Sequence, residues 1–244
     1  AGFEPSQPVC LKAAGDAATG WGFAVHHCPD RETFVAARSW FAERRESVPA
    51  VLVEQWIEVR CCWCVGLAIS EVNTLCFGAA EPLFSSPAKQ SGSVIDPARC
   101  LPPEGGMLAV KVGETARELG FRGVAGLDIA LAMDGRLVVF DPNFRIASST
   151  AQILFHENAA KRAGLSVSQS FQTTPTGPFA DTVRKLHGPI EQDWFIPTRF
   201  FNGEEHPLSN GRHIITGFVL GNDRNSASIA SENLQSLLLD RKAI

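Results

Sequence analysis

Apolar positions along the chain recur with two periods, and the switches between them outline the elements. Val9–Lys12 is a short apolar run. A glycine-bearing loop, 13–22, separates it from a second run at Phe23–His26. That order predicts strand, loop, strand. Asp30 is a helix start, because Phe34, Ala37 and Phe41 follow at helical spacing with Arg38, Arg44 and Arg45 on the other side. Pro49 ends that helix. Val51-Leu52-Val53 predicts a buried strand running into Glu54-Gln55-Trp56-Ile57.

From Val59 the period is two: Val59, Cys61, Trp63 and Val65 share one side. Val59–Ser70 and Val72–Gly78 are expected to be antiparallel neighbours. Pro82–Pro103 holds five prolines and little periodicity, so a loop is expected. Leu108, Val112, Ala116 and Leu119 mark a helix closed by Gly120. Val124–Met133, Asp134-Gly135 and Arg136–Asp141 give the clearest hairpin signal. A helix over 150–163 follows. The last third is punctuated by Pro, Thr and Gly, with strands expected near 194–201 and 213–220 and a helix over 226–239. Helices mixed with mostly antiparallel strands predict an α+β fold.

The hairpin brings chemistry with it. If Asp134-Gly135 form a two-residue type I′ turn, Met133 pairs with Arg136, and counting outward puts Asp128 opposite Asp141. Such partners have Cβ atoms about 4.5–5.5 Å apart on one face. Two carboxylates held that close repel unless a divalent cation lies between them. Alternation continued through Pro142 adds Asn143 and Arg145 to the same face. Ala130, Ala132, Leu137 and Val139 would share it, so it does not read as a solvated surface. Hard oxygen donors select Mg²⁺ or Mn²⁺, ions that commonly bridge carboxylates to phosphates.

Composition narrows the partners. Twenty-two Lys+Arg against 26 Asp+Glu leave a net charge of −4 with no basic block, which excludes duplex nucleic acid as the main partner. No uncharged apolar run reaches the roughly 18 residues of a membrane span. No signal-peptide pattern opens the sequence. The seven cysteines include the cluster Cys61-Cys62-Trp63-Cys64, which lies in the alternating segment and reads as strand packing, and reduced thiols in a cytoplasmic protein are expected.

Gly126-Leu127-Asp128-Ile129 followed by Phe140-Asp141-Pro142-Asn143-Phe144-Arg145 resembles the metal-binding end of ATP-grasp ligases. Val9-Cys10-Leu11-Lys12 resembles their phosphate-contacting lysine strand. Gly20-Trp21-Gly22 resembles their glycine-bearing phosphate loop, and 51–57 resembles their adenine-recognising hinge. Gln90-Ser91-Gly92 through Pro97 is similar to a loop lying between the hinge and the metal-binding half. The resemblance implies an ATP-grasp fold, two α+β subdomains gripping ATP, over residues 1–165. A nucleotide-gripping part spans 1–57 and a metal-binding part 58–165, followed by a small α/β extension at 166–244. It also implies that about a hundred residues or more, one further domain, precede the lysine strand.

The roles the resemblance implies are specific. Lys12, Gly20, Trp21, Gly22, Glu54, Gln55, Trp56, Ile57 and Glu58 would hold ATP. Asp128, Asp141 and Asn143 would hold Mg²⁺ or Mn²⁺. Arg145, with Lys12, would act catalytically on the transferring phosphate. The implied activity is carboxylate–amine ligation through an acyl phosphate, with small-molecule acid and amine substrates. The tail is loosely similar to peptide ligases of the pheganomycin type, which implies amino-acid or peptide substrates in natural-product assembly. Arg184, Arg199, Arg212 and His213 are candidates to meet a carboxylate. An ATP-binding regulatory module on the same fold and a kinase-like phosphotransferase are the rival readings.

Overall fold

The computed structural model describes residues 5–14, 24–86 and 89–239. The chain divides into two compact units. The first comprises residues 1–60, 83–91 and 132–134; the second comprises 61–82, 92–131 and 135–244.

In the first unit, β1 (Val9–Ala14) lies between β2 (Val25–Cys28) and β3 (Ala50–Gln55) in an antiparallel three-stranded sheet. Helix α1 (Arg31–Glu43) starts at Asp30, whose carboxylate accepts from Thr33 N at 2.9 Å while the Thr33 hydroxyl accepts from Asp30 N. That reciprocal capping box satisfies backbone donors the first turn would otherwise leave open. Phe34, Ala37 and Phe41 are the buried stripe, packed with Val9, Leu11 and Cys28. The opposite face of the sheet carries Lys12, Cys10, Glu54 and His27, because Cys10 pairs with both His27 and Glu54.

An eight-stranded sheet dominates the rest, in the order β10-β11-β9-β6-β5-β4-β7-β8. Its strands are β4 (Val59–Ile69), β5 (Thr74–Ser86), β6 (Lys89–Ile95), β7 (Gly123–Ala132), β8 (Leu137–Asn143), β9 (Val167–Thr173), β10 (Phe195–Phe201) and β11 (Ile214–Gly221). Four helices accompany it: α2 (Pro103–Glu118), α3 (Thr150–Ala163), α4 (Phe179–Glu191) and α5 (Arg224–Leu238). Trp63, Val65 and Leu67 from β4 meet Leu127 and Ile129 from β7 under Ala109 and Ala116 of α2. Burying each of the larger side chains contributes about 1.5–3 kcal/mol. On β11, Val219 joins Leu186 and Leu234 of α4 and α5, whereas Phe218 and Leu220 join Ala159 of α3. Consecutive residues point to opposite faces, so α3 covers one side of the sheet there and α4 with α5 the other.

Several expectations need correction. The segment 82–103 is not a loop: β5 runs through Pro82, β6 follows, and a short 3-10 turn (Pro97–Arg99) leads to α2. Pro97 and Pro103 sit at the first positions of their helices, where a missing N–H costs nothing. The stretch 90–97 that resembled a loop is mostly strand β6. Strand β9 and helix α4 go unpredicted, because the turn residues around them mask their periods. The segment expected as a C-terminal extension supplies β9, β10 and β11 to the same sheet that holds β7 and β8.

Candidate functional site

Asp128 and Asp141 are direct cross-strand partners, as the hairpin reading requires. The route there differs. The connection between β7 and β8 runs from Met133 to Arg136, so Leu131 pairs with Leu137 rather than Ala132. An extra residue on β8, Phe140, then restores the register between Ile129–Val139 and Asp128–Asp141. The bulge also moves Leu137 and Val139 to the core side, where they pack with Leu131 and the β4–β7 cluster. The face expected to carry them beside the acids retains Ala130 and Ala132, both 2% exposed.

Leu127 and Ile129 are fully buried, so the Asp128 between them is directed to the opposite face. Asn143 donates from Nδ2 to the Asp141 carboxylate at 3.0 Å and pairs across the strands with Gly126. Strand β8 ends at Asn143, so Arg145 is not on an extended continuation. It lies in a bend, its backbone N–H donating to Asn143 O at 2.8 Å and its Nη1 to Ile146 O at 3.2 Å. Cys62 on β4 senses this corner. Burial first, then the charges of Asp128, Glu81 and Cys61, push its thiol up to about 12, so it stays neutral.

In the three-stranded unit, the Lys12 ammonium and the Glu54 carboxylate form an ion pair at 2.6 Å. The cross-strand register that sets Lys12 opposite Leu52 and Glu54 opposite Cys10 puts the two on one face. Trp56-Ile57-Glu58 connects β3 to β4. Trp56 N donates to Pro8 O at 3.0 Å, its indole donates to Glu58 at 3.3 Å, and its ring stacks on His27 at 3.7 Å with 22° between planes. Gln55 is exposed and Ile57 half-buried beside them. Glu58 O accepts from Met133 N at 2.9 Å. Gly20, Trp21 and Gly22 lie outside the described residues.

Sequence reasoning missed His27. Ending the second strand at His26 hid it, although alternation from Val25 would have marked it as facing with Lys12. His213 is also reassigned. It is fully buried, its Nδ1 accepting from Gly203 N at 3.0 Å and its Nε2 bonded to Gly177 O at 2.7 Å. It is a structural pin, not a carboxylate receptor. Arg184 is paired with Asp181 at 2.6 Å.

A family profile described as "L-aspartate–L-methionine ligase, ATP grasp" matches residues 3–143, more than half of the chain. The chain belongs to this ATP-grasp family. Its members are ATP-dependent ligases, and solved ATP-grasp structures share the fold. An L-amino acid ligase from Bacillus licheniformis superposes with a TM-score of 0.54 at 13% identity, over 97% of this chain and 64% of that one. Carboxyaminoimidazole ribonucleotide synthase from Aspergillus clavatus, complexed with ATP, gives 0.58 at 15%, over 96% and 63%. The biotin carboxylase domain of Hydrogenobacter thermophilus 2-oxoglutarate carboxylase, bound to MgADP, ADP and bicarbonate, gives 0.55 at 14%, over 88% and 53%. The chain thus spans less than two thirds of each of these ATP-grasp proteins.

The side chains of Asp128, Asp141 and Asn143 offer oxygen donors. Among the described residues no group of three or more His, Cys, Asp or Glu could hold a metal. Two paired carboxylates and one amide oxygen, all hard donors, are what Mg²⁺ asks of a protein when phosphates and water complete its shell. Among the described residues, no helix is long and apolar enough to cross a membrane.

Proposed function

We propose that this ATP-grasp chain binds ATP with Mg²⁺, activates a substrate carboxylate as an acyl phosphate and joins it to an amine. The direct Asp128–Asp141 pair, with Asn143 and Arg145 following in the chain, carries this reading. Asp128, Asp141 and Asn143 would hold Mg²⁺, which when bound neutralises phosphate charge. Lys12 steadies the phosphates as a point charge, oriented by Glu54. The hinge from Glu54 to Glu58 holds the adenine and ribose end, with Trp56 fixed by its stack on His27. Gly20, Trp21 and Gly22 would contact the phosphates.

The substrate carboxylate oxygen attacks the γ-phosphorus, the bond to the β-phosphate oxygen breaks, and ADP leaves. The amine nitrogen then attacks the acyl carbon, loses a proton and expels phosphate, leaving an amide. Arg145 stabilises charge on the transferring phosphoryl group and on the tetrahedral oxyanion. Amino-acid substrates are supported by the family description, which names two amino acids, and by the L-amino acid ligase likeness.

Phosphate release from MgATP, assayed over an amino-acid panel headed by L-aspartate and L-methionine, is expected to require an acid and an amine together. Hydroxylamine should trap the acyl phosphate as a hydroxamate, which a kinase-like transfer to a hydroxyl would not yield. Asp141→Ala should abolish Mg²⁺-dependent turnover with unchanged circular dichroism. ATP binding without turnover across the panel would refute the ligase and leave a nucleotide-binding regulator.

A further inference from the structure

Arg145 leaves the strand one residue after Asn143–Phe144, so something other than the sheet must fix where its guanidinium stands. Two anchors bracket it. Upstream, its own N–H donates to Asn143 O at 2.8 Å. Downstream, Ala147 is held on both backbone groups by one residue: Ala147 N donates to Thr150 Oγ1 at 3.0 Å, and Thr150 N donates to Ala147 O at 3.1 Å. Thr150 is 5% exposed and opens α3, so this anchor is part of the packed helix end.

The Ala147 methyl has a seat. Gly126 lies on β7 opposite Asn143 and shares the face of Asp128, two residues on. A Cβ on Gly126 would stand 2.7 Å from the Ala147 Cβ and 4.0 Å from its Cα. The colliding atom is one bond from the main chain, so no rotamer can relieve it. Any side chain at 126 displaces the backbone of Ala147 by about an ångström, given the spacing of ordinary carbon contacts.

We propose that Gly126 and Thr150 are positioning residues for Arg145: Gly126 provides the seat and Thr150 the clasp that hold the bend 144–147 down beside the paired acids. Neither touches the reacting groups. The inference rests on the role assigned to Arg145 above.

Gly126→Ala and Thr150→Val are compared with Thr150→Ser and Arg145→Lys, in the same acid–amine turnover assay. Displacement of a catalytic group by about 1 Å costs on the order of 100-fold. Gly126→Ala is therefore expected to lower kcat by about that factor, with KM for ATP unchanged. Thr150→Val should act in the same direction, and Thr150→Ser, which keeps the acceptor, should restore the wild-type rate. A second readout needs no substrate. The Arg145 Nε–H resonance, identified by its loss in Arg145→Lys, should move in Gly126→Ala and Thr150→Val and return in Thr150→Ser. If Gly126→Ala does not fold, the two Thr150 variants decide. Wild-type kcat and an unmoved resonance in Gly126→Ala and Thr150→Val, with Arg145→Lys impaired, overturn the positioning roles alone. Wild-type kcat in Arg145→Lys overturns the function assigned to Arg145 itself.

Discussion

Two histidines show how the interior selects protonation states. His156 on α3 has a buried Nδ1 with no hydrogen-bond partner among the described residues. Burial lowers its pKa below the ordinary 6.5, against a smaller opposing pull from Glu157. His26, between Trp40 and Phe41, is lowered by burial and then by Arg44. The unfolded chain therefore binds these protons more readily than the folded one. Their full contribution is present above pH 6.5 and is lost as the pH falls from there toward the lowered folded values. Urea titrations on either side of pH 6.5 should show lower stability on the acid side. His156→Gln should reduce that difference without abolishing it, because His26 remains. An undiminished difference in the variant would exclude His156 as a source.

The elements succeed or fail on how their edges are packed. Ile129 lies fully buried between β4 and α2, and Ile129→Ala should cost about 2–5 kcal/mol by leaving a cavity. The urea midpoint should fall with an unchanged slope; a loss well below that range would mean the hairpin collapses to fill the space. The same packing explains what the sequence made legible. Helices α1, α2 and α3 were readable because each has a single apolar stripe and clear end signals, such as the Asp30 capping box and Gly120 after α2. The Asp128–Asp141 pairing was readable although its turn was not: a longer connection and the Phe140 bulge offset one another. Bulges are set by tertiary twist, which alternation cannot encode. Strand β6 was hidden because Gln90, Ser91 and Ser93 look like loop residues. Ser93 is in fact buried, its hydroxyl donating to Gln152 of α3 at 2.6 Å. Buried polar positions satisfied by distant partners leave no local signature.

At the scale of the whole molecule, the boundary expected at 165/166 falls inside one continuous sheet. A chain ending at residue 165 would lose β9, β10, β11, α4 and α5, exposing the β6 edge and the face of α3 that packs on Phe218 and Leu220. Such a truncation is expected to aggregate on size-exclusion chromatography; a monomeric, cooperatively melting product would show that the first part folds alone. The joint in question is narrow. Strand β6 meets β9 through Val94–Gln169 and Ile95–Ser168, whereas β9 and β11 pair over the full span from Ile215 to Gly221. Gln152 reinforces the joint, linking Ser93 on one strand to Ser168 on the other. Under tension the sheet would therefore part along this line before the longer seam between β9 and β11. One buried amide works as the rivet of a riveted plate.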